Sequence, residues 1–217
     1  MAQTFPKWTN KIPLVLIFVL VFGSTGAAIV YAYYFSPAYT DVGYRPEQPV
    51  PYSHKLHAGD LGMDCRYCHT NVEVSQEANV PPTQTCMNCH TLILPESEKL
   101  LPVRESWNSG NPIEWVRVHN LADYVYFDHS AHLQAGVGCS SCHGRVDQMV
   151  KVTQVEPLSM AWCLDCHRNP DMHLRDLNTT SVTDMTWQPP ANQLEIAARL
   201  KKEKNIAPGE DCSICHR

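Results

Sequence analysis

The sequence predicts a loop-rich chain of short helices wrapped around a cluster of prosthetic groups, preceded by one transmembrane helix. Three observations predict it. The ten cysteines of this 217-residue chain all fall in Cys-x-x-Cys-His pentads. One long N-terminal run carries no charge. Sixteen prolines and few periodic segments mark a chain that turns often.

The N-terminal element comes first. Residues Ile12 to Phe35 form 24 uncharged positions, roughly 36 Å as a helix, enough to cross a bilayer with some tilt. Lys7 and Lys11 precede the run, and no basic residue follows before Arg45. The positive-inside rule then puts the N-terminus in the cytoplasm and the rest outside, on the periplasmic side of an inner membrane. Trp8 and Tyr31, Tyr33 and Tyr34 are placed as interfacial anchors. A cleaved signal peptide has a shorter apolar region and a small-x-small site; Tyr31-Ala32-Tyr33-Tyr34 is a poor one, which favours a retained anchor over residues 1–40. Gly23 and Ala27, four apart, would let another helix approach closely.

The pentads are Cys65-Arg-Tyr-Cys68-His69, Cys86-Met-Asn-Cys89-His90, Cys139-Ser-Ser-Cys142-His143, Cys163-Leu-Asp-Cys166-His167 and Cys212-Ser-Ile-Cys215-His216. This spacing is the attachment signature of c-type haem: two thiols form thioethers and the adjacent histidine becomes the proximal iron ligand. Five covalently bound haem c groups are expected, on the fold of a multihaem cytochrome c. Zinc would need two cysteine pairs per closed site, and the pairs do not divide that way. A disulfide framework would not require a histidine after every second cysteine. The thiols must stay reduced until haem is attached outside the cytoplasmic membrane. About 180 residues follow the anchor, fewer than about 40 per haem, too few for a separate apolar core around each. The haems themselves must supply most of the core.

The domain spanning 41–217 repeats itself. Tyr52-Ser53-His54-Lys55-Leu56-His57 resembles Phe127-Asp128-His129-Ser130-Ala131-His132. Each copy is followed by a glycine (Gly62, Gly136), then one pentad, then a second. Two di-haem modules are expected, about 50–90 and 119–168, joined through 91–126, with a terminal fifth haem in 205–217. Each pentad is expected in a short helical turn. Asn192 to Lys204, with Leu194, Ile196, Ala197 and Leu200 on one face, predicts a helix ended before Pro208. Trp115 to Val118 reads as extended.

Eleven histidines are present. The pentads use His69, His90, His143, His167 and His216. His54, His57, His119, His129, His132 and His173 remain, against five distal sites. Histidines three apart project from one side of a helix and cannot clasp both faces of one porphyrin. Each His-x-x-His therefore serves two haems. The simplest assignment gives His54 to the haem of Cys65 and Cys68, and His129 to that of Cys139 and Cys142. His57 and His132 then reach other haems, His119 is the fifth distal ligand and His173 the spare. Met160, three residues before Cys163, is an alternative sulfur ligand that would raise one potential; a methionine that fills a gap in packing is the bland account. With every iron six-coordinate, no site is open to substrate, and no catalytic residue is assigned. The formal charge of −5, with no basic stripe, excludes a nucleic-acid binder.

Three stretches carry a family resemblance: Pro81-Pro82-Thr83-Gln84-Thr85-Cys86-Met87-Asn88-Cys89-His90, Arg117-Val118-His119 through Phe127-Asp128-His129-Ser130-Ala131-His132, and Leu158-Ser159-Met160-Ala161-Trp162-Cys163-Leu164-Asp165-Cys166-His167-Arg168. With the single anchor, they resemble the membrane-anchored pentahaem cytochrome c subunit of bacterial alternative complex III; the His-x-x-His modules also look like those of small class III cytochromes. The resemblance implies an electron relay in a membrane quinol-oxidising complex. An iron–sulfur subunit would be the donor. A soluble cytochrome, a copper protein or a terminal oxidase would be the acceptor. A stand-alone membrane-anchored quinol dehydrogenase is the first rival, and a small-anion reductase the second. Both need an open haem site, which the histidine supply argues against.

Overall fold

The computed structural model describes residues 4–216; residues 1–3 of the expected anchor and Arg217 of the terminal segment lie outside them. It divides into two compact units, Met1–Asp41 and Val42–Arg217.

The first unit is a helix, α1 (Lys7–Tyr34), followed by the turn α2 (Pro37–Thr40). None of the apolar window of α1 is buried in protein, and it is long and apolar enough to cross a membrane. It opens as a tight 3-10 turn over Lys7–Lys11 and widens to a π turn over Val19–Gly23. A wide turn leaves carbonyls short of partners. The Val21 carbonyl is taken by the Thr25 hydroxyl at 2.7 Å and the Ser24 hydroxyl at 3.3 Å. At the far end Tyr33, Tyr34 and Tyr39 pack ring on ring.

The second unit is helical and irregular. Its helices are α3 (Cys65–Cys68), α4 (Thr83–His90), α5 (Leu101–Ser109), α6 (His129–Ala135), α7 (Ser140–His143), α8 (Met160–Arg168), α9 (Gln193–Glu203) and α10 (Cys212–Cys215). There is no strand among the described residues, only the isolated bridges Val125–His216 and Val137–Leu174. Trp115 to Val118 forms no strand: the Val116 N–H donates to the Gln48 side-chain oxygen at 2.9 Å and its carbonyl accepts from the Gln48 amide at 2.8 Å, so a side chain takes the place of a neighbouring strand. Helix α5 lies in the connecting segment 91–126, where no helix was expected. Pro102 starts it, and Gly110 ends it at φ +73, a conformation glycine adopts without strain.

Purely apolar burial is sparse. One cluster joins Val72, Leu133 and Val182, with Ala78 and Cys139 against it. The other joins Leu174, Ala197 and Leu200, with Ile196 at its edge. Helix α9 therefore forms where its periodicity placed it, but its face is Gln193, Ala197 and Leu200, while Leu194 stays exposed. Gln193 is buried because its amide donates to the carbonyls of Asp171 (2.6 Å) and Leu174 (2.7 Å).

A buried cation organises the rest. Arg175 is 1% exposed. Its guanidinium donates to the carbonyls of Ser181 (3.0 Å) and Asp184 (2.7 Å) and to the Ser140 hydroxyl (2.8 Å), and it lies 4.7 Å over the Trp187 ring. Among the described residues no carboxylate forms an ion pair with it.

Candidate haem-binding site

Every pentad sits in a helical turn: α3, α4, α7, α8 and α10 each hold one or most of one. Local capping explains several of these. Asp64 accepts from the Arg66 N–H at 2.9 Å at the start of α3, and the Ser159 hydroxyl accepts from the Trp162 N–H at the start of α8. None of the ten cysteines is in a disulfide. Among the described residues no group of three or more His, Cys, Asp or Glu is placed to hold a bare metal ion.

The imidazoles are oriented from behind. Nδ1 meets a backbone carbonyl in His69 (Asn79, 2.7 Å), His90 (Ile93, 2.8 Å), His167 (Gly209, 2.7 Å) and His216 (Tyr124, 3.1 Å). The same holds for non-pentad His57 (Ser53, 2.9 Å), His129 (Gln76, 2.6 Å) and His132 (Asp128, 2.7 Å). A carbonyl fixes the proton on Nδ1 and leaves the Nε2 lone pair free for a metal, the usual support of a ligating histidine.

Ring pairs follow. His57 faces His90 at 6.2 Å between centroids, His129 faces His143 at 6.4 Å, and His132 faces His167 at 6.1 Å. An iron bonded to two imidazole nitrogens at about 2 Å each would set the ring centroids roughly 6.3 Å apart. The residues present therefore fit a bis-histidine haem at each of these three pairs. The His129 and His143 rings are also nearly parallel, 7° apart.

His119 is different. It meets His143 edge to face at 4.4 Å, too close for a shared iron, and its buried Nε2 has no hydrogen-bond partner. His54 is buried with its Nδ1 unpartnered. Met160 opens α8 and is 68% exposed in the protein. His173 closes a 3-10 turn, Pro170–His173.

Burial also sets protonation. It pulls His54 down to about 4, with His69 and then His57 adding to it, and it pulls His143 down to about 3, with His119 the next cause. Burial lowers His119 and His132 as well. All four rings are therefore neutral near pH 7, the state in which imidazole binds metal.

The two His-x-x-His segments differ in backbone, a π turn over Lys55–Asp60 in the first and α6 in the second, but carry the same aromatic support. Tyr52 stands edge-on to His54 at 4.8 Å and stacks on His57 at 4.4 Å. Phe127 stands edge-on to His129 at 4.8 Å and stacks on His132 at 4.5 Å. Sequence reading found the repeated histidines but gave no role to these rings; their equal offset from each pair was the available signal. Arg175, which fastens Ser140 of the third pentad, left no sequence signal: a lone arginine among loops looks like a surface residue.

Residues 125–217 match the family model for cytochrome c7 and related cytochrome c. A stretch of 100 residues is 37% identical to the menaquinone reductase, multiheme cytochrome c subunit, of Nitratidesulfovibrio vulgaris, covering 46% of this chain and 47% of that one. The alignment thus spans about half of that relative's length. Residues 125–217 thus carry a multihaem cytochrome c likeness; the described residues are helix-rich without a strand, with one N-terminal helix long and apolar enough to cross a membrane.

Proposed function

We propose that this multihaem cytochrome c carries five haems, one at each pentad, and relays electrons within a membrane complex that exchanges them with the quinone pool. The observation that carries the reading is the set of facing rings, His57–His90, His129–His143 and His132–His167. The ten pentad cysteines hold the haems. His69, His90, His143, His167 and His216 are the proximal ligands. His54, His57, His129, His132 and His119 are the distal ones. His54 takes the iron of His69, as its counterpart His129 takes that of His143. His119, with an orphaned Nε2, takes the iron of His216; Met160 is the sulfur alternative.

When bound, the haems supply one-electron redox chemistry. The chain's own residues do the rest. Backbone carbonyls hold the Nδ1 proton of seven of these histidines, Tyr52 and Phe127 fix ring planes by stacking, and burial keeps His54, His119, His132 and His143 neutral. With both axial positions filled, no iron is open to substrate, so this subunit carries electrons and is not itself the catalyst.

Helix α1 anchors the chain in the cytoplasmic membrane with its N-terminus inside and the haem domain in the periplasm. In the alternative complex III-like reading, electrons from quinol arrive through an iron–sulfur subunit and leave to a soluble cytochrome, a copper protein or an oxidase. The Nitratidesulfovibrio vulgaris relative, a menaquinone reductase subunit, favours a second reading with the flow reversed, from a periplasmic donor to menaquinone.

The test is low-temperature electron paramagnetic resonance of the oxidised chain with haem counted per polypeptide, then reduction of the intact complex by a quinol. Five low-spin haems, reduced by quinol, are expected. A substantial high-spin signal would replace the relay with a stand-alone quinol dehydrogenase or a reductase. Haems that quinol leaves oxidised but that pass electrons to a quinone would select the reversed flow.

A further inference from the structure

The order of the pentads along the chain is not their order in space. The first and second pentads meet through the Asn88 amide, which donates to the Tyr67 hydroxyl at 3.3 Å, and through Tyr52, which touches both His54 and His57. The third and fourth meet through the equivalent Phe127 and α6. The fourth and fifth are tied by His167 Nδ1 to the Gly209 carbonyl and by Arg168 to Glu210 at 2.9 Å.

The two modules brace each other reciprocally. The Ser130 N–H, one residue past His129, donates to the carbonyl of Ser75, six residues past His69, at 3.2 Å. The Lys55 N–H, one residue past His54, donates to the carbonyl of Met149, six residues past His143, at 2.9 Å. The two bonds are the same bond exchanged between copies. Each module's first histidine is thus seated on the loop after the other module's first pentad, an approximate two-fold relation. A two-fold contact pairs like with like, so the first and third pentads face each other. Other contacts agree. The Cys139 N–H donates to the Val182 carbonyl at 3.0 Å, and the next residue, Thr183, donates its hydroxyl to Asp64 at 2.9 Å.

We infer that the haems form one wire in the order second, first, third, fourth, fifth, with the first and third at its centre on an approximate two-fold and the second and fifth at its ends. The inference rests on the reading of one haem per pentad. It makes the haem of Cys86 and Cys89 and that of Cys212 and Cys215 the two ports. No electron passes from end to end without crossing the first-to-third junction. The second and third pentads, the most widely spaced of the consecutive pairs in sequence, then have no direct contact between their haems.

The test is diffraction at the iron absorption edge from crystals of the full haem-loaded chain in detergent. Anomalous peaks are assigned to pentads by the cysteines they adjoin. The expected result is that the iron of the first pentad has the second and third as its nearest neighbours, and that the fifth lies beside the third and fourth and away from the first and second. An iron of the second pentad nearest the third, or a fifth nearest the first or second, overturns the order. Fewer than five peaks would fail the haem count, while the neighbours of those present would still decide the order.

Discussion

Arg175 is a cation buried without a paired carboxylate, and its replacement makes a sharp test of how this chain is held. The guanidinium donates to two carbonyls and one hydroxyl at 2.7–3.0 Å. Hydrogen bonds from a charged group contribute about 1.5–3 kcal/mol each, and the stack on Trp187 adds about 1 kcal/mol. Removing the cation returns several kcal/mol of desolvation cost. The remainder for Arg175→Met is a loss of about 3 kcal/mol. Burial lowers the Arg175 pKa, yet arginine stays charged at neutral pH, so the loss is not a titration effect. Urea unfolding of the soluble haem domain, followed by far-ultraviolet circular dichroism, reads the change. Arg175→Lys should recover less than half, because an ammonium cannot reproduce the planar fork. A loss below about 1 kcal/mol for the methionine variant, or full recovery with lysine, would refute the reasoning that directional bonds to loop 181–184 carry the stability.

Other perturbations follow from the same contacts. Gly138→Ala places a methyl 2.0 Å from the Arg175 guanidinium carbon, so the variant should lose stability on the Arg175→Met scale, read by the same unfolding curve. Asp64 is held down at about 2, chiefly by hydrogen bonds from Arg66. A depressed carboxylate stabilises above its unfolded pKa and loses that contribution as pH falls through the folded one. Between pH 4 and about 2 the urea midpoint should therefore fall less steeply for Asp64→Asn than for the native chain. His132→Met should raise the potential of the fourth-pentad haem, since a methionine ligand favours reduced iron; potentiometric titration should show one component shifted upward and the others near their native values. A chain beginning at Val42 behind a cleavable signal should leave the membrane fraction without detergent while keeping its haems, because the helix and the haem domain are separate units.

The helical, loop-rich class with one apolar span was legible because its causes are local. Pentad chemistry fixes two cysteines and a histidine within five residues, and a bilayer-spanning run is contiguous by necessity. The face of α9 was half legible: periodicity marked Leu200 and Ala197, but Leu194 turned outward and Gln193 inward. That choice depends on the Asp171 and Leu174 carbonyls, which lie about 20 residues away in the chain. Helix α5 went unread because Pro102 and Trp107 break an obvious pattern, and only Val103 and Ser106 are buried along it.

By itself the sequence determined five pentads, eleven histidines, a repeated His-x-x-His segment and one apolar span. Those facts are set by covalent chemistry and by residue spacing along one strand of chain. Tertiary structure alone decided which ring faces which, that Tyr52 and Phe127 are equivalent supports, and that each module rests on the loop of the other. Those facts need residues distant in the chain to meet: His57 and His90 are 33 positions apart, and His129 and Gln76 are 53. The physical reason is that an iron needs ligands on opposite faces, and a continuous chain can supply the second face only by returning from elsewhere in the fold.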